Sequence, residues 1–123
     1  MISSDDLDRI GIPWCFRQDS ASLAKTGVPF IINLDDKGHK GTHWTAARVI
    51  NGVLYYADPF GTILNGWPPI ELAGYPRVIN EVSFQRPNTQ LCGYYAICFV
   101  NAMQGLRGDE GQKEFEKALM ANI

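Results

Sequence analysis

Apolar residues cover nearly every side of the segment from Cys92 to Met103. A helix with this pattern belongs in the interior of a protein. Pro87 and Asn88 are turn residues ahead of it, and Thr89 can cap a helix, which places Cys92 in the first turn. The unpaired N–H groups and the positive end of the helix dipole favour a thiolate there. Cys92 is therefore a candidate nucleophile.

Runs of β-branched and alternating apolar residues predict the strands of a sheet. The segment Val28–Leu34 is apolar enough for a central strand, and Arg77–Phe84 alternates like another. Between them, His43–Ile50 and Val53–Ala57 flank Asn51-Gly52, a dipeptide that favours the positive φ angles of a type I′ turn. These two segments are predicted to form one hairpin.

Shorter helices are predicted near the two ends of the chain. Ser3 or Ser4 can cap a first short helix, and a second is expected from about Ser20 to Lys25. The segment Trp14–Phe16 between them is predicted to be an anchoring cluster in a loop. A last, amphipathic helix is expected to follow Gly108 and to end near Ala121.

The length and composition indicate one domain with its own core. The chain has 123 residues, of which 46% are hydrophobic and 20% charged. We expect a single α+β domain over residues 1–123, with a small mixed or antiparallel sheet packed against the central buried helix. A net charge of −2 and a pI near 5.6 argue against a nucleic-acid or anionic-membrane surface. No apolar run approaches the roughly 20 residues that span a bilayer.

The cysteine and histidine content argues against a disulfide framework and against a metal. Cys15, Cys92 and Cys98 are odd in number and form no C-x-x-C pair, which favours a reducing compartment. His39 and His43 make too few ligands for zinc, so no metal or cofactor is predicted. Cys98 lies about 240° round the helix from Cys92 and is expected in the core. The acidic N-terminus does not resemble a signal or transit peptide.

The hairpin register predicts the partners of the nucleophile. With the turn centred on Asn51-Gly52, paired residue numbers sum to about 103, so His43 and Asp58 lie at the same end of the hairpin. A carboxylate there can fix the tautomer of the imidazole and leave its other nitrogen facing a thiol. Gln85, just ahead of the helix, can donate its amide to a developing oxyanion together with the Cys92 backbone N–H.

The order of these residues resembles a known family. The segments T-H-W-T-A-A-R-V, Y-Y-A-D-P-F-G and Q-R-P-N-T-Q-L-C-G-Y-Y are similar to the motifs of the adenovirus protease (adenain) family of cysteine proteases, which is related to the ubiquitin-like-protein proteases. The resemblance covers roughly Phe30 to Gln104. Each motif alone would be a weak signal, but the presence of all of them in this order is specific. It implies His43 as general base, Asp58 as its partner, Gln85 as oxyanion donor and Cys92 as nucleophile.

The resemblance also implies a biological setting. It suggests a papain-like or adenain-like core and an endopeptidase that cleaves viral precursor proteins at small, Gly-rich sites during virion maturation. Such an enzyme acts in the host cell and in the virion. The family further suggests activation by a peptide and by DNA, although the acidic balance of this chain argues against DNA. The acid is Asp58 where many adenovirus enzymes have Glu.

Three residues are candidates for substrate contact, each with a plainer alternative. Trp44 alternates to the strand face opposite His43, where it can lie in the core or cover the site. Gly93 can admit a substrate backbone near the thiolate or allow close helix packing. Trp67 can line a groove or pack within its own loop. Gln90 is a rival to Gln85 as oxyanion donor.

Two other functions fit the same sequence. An isopeptidase acting on ubiquitin or SUMO would use the same chemistry on a different partner. A relative that kept the core and only binds a peptide would have an unreactive Cys92, since a free cysteine is most often a small buried hydrophobe.

Overall fold

The computed structural model describes residues 2–34, 43–58, 68–79, 92–105 and 108–120. Within them the chain is α+β, with four α-helices and a five-stranded sheet. Two short 3₁₀ helices, Arg17–Asp19 and Ile70–Leu72, lie between these elements. The strands are β1 (Trp14–Phe16), β2 (Phe30–Asn33), β3 (Trp44–Ile50), β4 (Val53–Ala57) and β5 (Arg77–Ile79), and the helices are α1 (Ser4–Ile10), α2 (Ser20–Ala24), α3 (Cys92–Ala102) and α4 (Gly108–Met120).

The sheet is mixed, with its strands in chain order from β1 to β5. The three middle strands pair antiparallel, whereas β1 and β5 add to the two sides in parallel. The expected loop at Trp14–Phe16 is wrong, because these residues pair with Ile31, Ile32 and Asn33 as a short strand. Three residues are too few to show a period, and parallel partners lie far apart in sequence.

The β3–β4 hairpin confirms the predicted turn and register. Asn51 and Gly52 both have positive φ angles, 50° and 79°, as a type I′ turn requires. Ladder pairs run from Ile50 with Val53 to Ala46 with Ala57, and each pair of numbers sums to 103. The residues that precede β3 and follow β4 are thereby brought to the open end of the same hairpin.

The sheet has a separate core on each face. One contains Leu7 of α1, Ala46 of β3 and the aromatic pair Phe99 and Phe115, which joins α3 to α4. The other contains Phe30, Tyr56 and Leu72 together with α2. Helix α3 packs on β3, so its first residue reaches the part of the sheet where β3 begins.

Helix α3 is less enclosed than its composition suggests. Tyr94, Cys98 and Asn101, spaced by four and three residues, are all exposed, so one stripe of the helix faces outward. The expectation that Cys98 lies in the core is therefore wrong. Tyr94 and Cys98 on this stripe are apolar, so the hydrophobic pattern of the sequence does not identify it as an outer face. Among the described helices, none is long and apolar enough to cross a membrane.

The first helix begins as the sequence indicates. Ser3 is the N-cap of α1, and Ser3 and Asp6 form a reciprocal capping box. Gly11 ends the helix in the left-handed conformation, with φ of 77°. The segment ahead of α1 is thereby fixed against the body of the protein, where Ile2 accepts a hydrogen bond from the Trp44 indole at 3.1 Å.

Arg48 of β3 fastens the end of α3 to the sheet. Its side chain donates to the backbone carbonyls of Met103 and Gly105, just after α3, and to that of Gly27 at 2.8 Å. The residue is 9% exposed, and its positive charge lies at the negative end of the helix dipole. Its guanidinium therefore satisfies carbonyls that a helix end leaves without partners.

The substitution Arg48→Met is expected to destabilise the protein by about 3 kcal/mol. Met keeps most of the apolar stem but leaves the three carbonyls without their charged donor. Urea unfolding followed by circular dichroism measures this change. Arg9→Met is the matched control: the Arg9 side chain is 76% exposed, so its loss should change stability by less than about 0.5 kcal/mol. Equal effects of the two substitutions would contradict the role given to Arg48.

Candidate active site

The open end of the hairpin holds an imidazole against a carboxylate. His43 directly precedes β3 and Asp58 directly follows β4, so the register brings them together. His43 Nε2 lies 3.1 Å from Asp58 Oδ1. The Asp58 side chain is fully buried, and that of His43 is 17% exposed. With Nε2 engaged by the carboxylate, Nδ1 is the ring nitrogen left to interact with another group.

A thiol completes the cluster from the start of α3. Cys92 is the first residue of this helix, and its Sγ accepts a hydrogen bond from the Trp44 backbone N–H at 3.4 Å. The Cys92 side chain also forms a hydrogen bond with His43 and accepts one from the Gly93 backbone. Cys92 is only 2% exposed. Three segments distant in sequence thus place sulfur, imidazole and carboxylate in one connected group.

The electrostatics of the group favour its charged form. Burial is the largest effect on His43 and lowers its pKa, but the hydrogen bonds and charges of Asp58 and Cys92 raise the pKa to about 9. Burial likewise raises the pKa of the Cys92 thiol. The hydrogen bonds from His43 and from the Trp44 backbone, with the charge of His43, outweigh burial and lower that pKa below its ordinary value. The arrangement can therefore hold a thiolate beside an imidazolium near neutral pH.

The structure brings together three of the four residues predicted for catalysis. His43, Asp58 and Cys92 are in contact as described, whereas Gln85 lies outside the described residues. Its rival Gln90 and the substrate candidate Trp67 also lie outside them. The backbone N–H of Trp44 is a partner of the sulfur that sequence reasoning missed. The signal that could have indicated it is the place of Trp44 in the chain, directly after His43.

Trp44 and Gly93 pack in the interior and do not form an exposed substrate surface. The Trp44 side chain is 3% exposed, and its indole nitrogen donates to the Ile2 carbonyl. Gly93 is buried, and a Cβ added to it would lie 2.6 Å from Ile2 Cβ. Trp44 therefore lies in the core, and Gly93 allows close packing of the helix, which are the plainer alternatives given for these two residues. Ile2, which sequence reasoning did not single out, is their shared neighbour.

The geometry defines the class of protein: an α+β fold in which Cys92, His43 and Asp58 form one connected group. Comparison of the chain with models of known families, with curated proteins and with solved structures finds no match. The resemblance to the adenovirus protease family therefore rests on the motif residues themselves. Within the described ranges, no group of three or more His, Cys, Asp or Glu residues could hold a metal ion.

Iodoacetamide is expected to label Cys92 in preference to Cys98 at pH 6, although Cys98 is the more exposed. Although Cys98 is exposed as a residue, partial burial of its thiol raises its pKa, so lowering the pH removes its thiolate. Cys92 keeps its thiolate down to its lowered pKa. His43 stays protonated at pH 6 and at the pH values just above it, because its pKa is about 9. Peptide mapping by mass spectrometry at a series of pH values measures both rates.

His43→Ala should slow the labelling of Cys92 at pH 6 by at least about tenfold, since the thiolate loses its hydrogen-bond donor and a neighbouring positive charge. Cys98 serves as the internal control, because its rate should not change. Parallel pH profiles for the two cysteines in the unsubstituted protein would contradict the ion pair.

Gly93→Ala should lower stability by about 1–2 kcal/mol. The added methyl group overlaps Ile2, which outweighs the better helix propensity of alanine. Ile2→Gly should remove the overlap, so the double variant should recover much of the loss in a double-mutant cycle measured by urea unfolding. Gly74→Ala is the control, because a Cβ there meets no atom within 4 Å. Additive effects of the two substitutions would argue against the contact.

Proposed function

We propose that this protein is a cysteine endopeptidase in which Cys92 is the nucleophile, His43 the general base and acid, and Asp58 the residue that orients His43. The observation that carries the proposal is the connected Cys92–His43–Asp58 group, with Nε2 of His43 at 3.1 Å from Asp58 Oδ1. A free cysteine in a core needs neither a basic partner nor a buried carboxylate behind that partner. A thiol nucleophile is activated by such a base, and a carboxylate behind the base orients it.

The chemistry begins with attack of the Cys92 thiolate on the scissile carbonyl carbon. The carbonyl oxygen becomes an oxyanion, which backbone N–H groups at the start of α3 can stabilise. The His43 imidazolium then gives its proton to the leaving amine as the C–N bond breaks, and a thioester remains. Water attacks this thioester while His43 accepts its proton, which releases the acid and restores the thiolate.

Asp58 stabilises the imidazolium and fixes which nitrogen faces the sulfur. Because its carboxylate engages Nε2, the proton that moves between His43, Cys92 and the leaving group is carried by Nδ1. The carboxylate itself keeps its charge through the cycle. Gln85 is proposed as an additional oxyanion donor on the strength of the motif resemblance, and its loss should slow turnover by roughly 10²–10³-fold.

The position of α3 supports the finer proposal of a papain-like or adenain-like core. Cys92 begins a helix that packs on the sheet, and the base comes from the end of a neighbouring strand. The resemblance extends the proposal to precursor proteins of a virus cut at small, Gly-rich sites, in the host cell or the virion. A peptide activator is part of the same proposal.

The burial of Cys92 favours one second candidate, a peptide-binding protein without catalysis. Cys92 is 2% exposed, so little of this residue is open to a substrate. Catalytic cysteines are usually partly exposed. The two candidates differ in whether Cys92 turns over a bound peptide.

Turnover of a fluorogenic peptide ending in Gly-Gly is the direct test. Cys92→Ala should abolish it, His43→Ala should reduce it by at least about 10³-fold, and Asp58→Asn should reduce it substantially because the tautomer is no longer fixed. Cys98→Ala is the matched control and should retain full activity, since Cys98 lies on the outer stripe of α3.

A panel with ubiquitin and SUMO C-terminal substrates separates a peptidase from an isopeptidase. Hydrolysis of these substrates at rates well above that of the peptide would favour the isopeptidase. Binding of the peptide without hydrolysis would favour the non-catalytic candidate, and full activity in Cys92→Ala would overturn the mechanism.

A further inference from the structure

Two backbone N–H groups converge on the Cys92 sulfur. The Trp44 backbone N–H donates to Sγ at 3.4 Å, and the Gly93 backbone N–H donates a second hydrogen bond to the same sulfur. Hydrogen bonds donated to a thiolate stabilise its charged form. Trp44 begins β3 and Gly93 lies in the first turn of α3, so both bonds depend on how the helix sits against the sheet.

Ile2 contacts both of the residues that supply these N–H groups. Its backbone carbonyl accepts a hydrogen bond from the Trp44 indole at 3.1 Å. Its side chain lies on Gly93, since a Cβ added to that glycine would be 2.6, 2.9 and 3.3 Å from Cβ, Cγ1 and Cγ2 of Ile2. Ile2 therefore connects the start of β3 to the start of α3, although it belongs to neither element.

Helix α1 anchors Ile2 in this place. In the capping box, the Ser3 backbone N–H donates to Asp6 Oδ2 at 2.9 Å and the Asp6 backbone N–H donates to Ser3 Oγ at 3.2 Å. Ile2 and Leu7 occupy the two positions that form a hydrophobic staple, which fixes the angle at which the chain enters a helix. Both pack in the same core cluster. The contact with Gly93 is thus made by a residue whose backbone is anchored.

The glycine beside the nucleophile permits this contact. Glycine is the poorest helix former after proline, so helix stability alone does not favour it at position 93. Without a Cβ, Gly93 lets the Ile2 side chain reach the backbone whose N–H contacts the sulfur. The close approach is therefore made at the residue that holds one of the two donors.

We propose that Ile2 is a positioning residue for the Cys92 nucleophile, because it holds the backbone N–H groups of Trp44 and Gly93 against Sγ. It acts through these two residues and is not itself a catalytic residue. The inference rests on the proposed function, since it assigns a residue that prepares the same thiolate.

The test measures the alkylation of Cys92 by iodoacetamide across a pH series in Ile2→Ala and Trp44→Phe. Ile2→Ala removes the branches that lie on Gly93, and Trp44→Phe removes the indole donor to the Ile2 carbonyl. Donors held less firmly stabilise the thiolate less, so the pH of half-maximal labelling should rise. At a pH below the midpoint of the unsubstituted protein, labelling should slow by about three- to tenfold. Mass spectrometry gives the midpoint and the plateau rate separately.

Three control variants separate positioning from packing. Ile2→Val keeps Cβ, Cγ1 and Cγ2, the atoms nearest Gly93, and should retain the pH profile of the unsubstituted protein. Ile10→Ala shortens an isoleucine that is 57% exposed and should also leave the profile unchanged. Trp14→Phe removes an indole donor whose partner is Asp8, at 2.8 Å, and should not move the midpoint.

The outcomes separate this inference from the proposed function. A lower melting temperature of Ile2→Ala with an unchanged midpoint would overturn the positioning role and leave Ile2 as a packing residue. A higher plateau rate with an unchanged midpoint would overturn it as well, because Ile2 would then only cover the sulfur. An unreactive Cys92 in the unsubstituted protein would overturn the proposed function and this role with it. The first two results leave the proposed function intact, so the failures are distinguishable.

Discussion

The register of the β3–β4 hairpin is the constraint on which the rest of the site depends. Its two-residue turn needs positive φ at both central positions, and Asn51-Gly52 meets that need at low steric cost. Because side chains alternate in a strand, a slip of one residue would exchange the two faces. Trp44 and Ala46 would then leave the core beneath α3, and Asp58 would no longer sit beside His43. Apolar burial and the polar site thus specify the same register.

The three polar groups of the site stabilise one another and are poorly tolerated alone. A fully buried Asp58 carboxylate carries a large desolvation penalty, which the hydrogen bond from His43 offsets. His43 in turn holds its proton because a carboxylate and a thiolate flank it. Removal of any one group leaves a buried charge or an unpaired donor. The site therefore works as a unit, and the effects of single substitutions at these positions should not add.

Much of this arrangement could be predicted because it depends on local signals. The turn, the register and the start of α3 come from Asn51-Gly52, the apolar alternation and the residues ahead of Cys92. These signals act over a few residues and need no knowledge of tertiary contacts. They were sufficient to bring an imidazole, a carboxylate and a thiol to one end of the sheet.

The features that sequence reasoning missed are set by long-range packing. Strand β1 exists because Trp14–Phe16 finds a parallel partner in β2, and three residues carry no periodic signal of it. The outer stripe of α3 is apolar enough to resemble a core face, so the exposure of Cys98 could not be predicted from composition. The contact of Ile2 with Gly93 joins residues near the two ends of the chain, where no local pattern links them.

Burial makes the site electrostatically strong and also restricts access to it. Removing water around Cys92 and His43 strengthens their attraction, because a low dielectric increases both charges' effect on each other. The same burial leaves Cys92 only 2% exposed. Ile2 lies against Gly93 and accepts a hydrogen bond from the Trp44 indole, so the residue ahead of α1 packs beside the start of α3 and helps to enclose this end of the sheet.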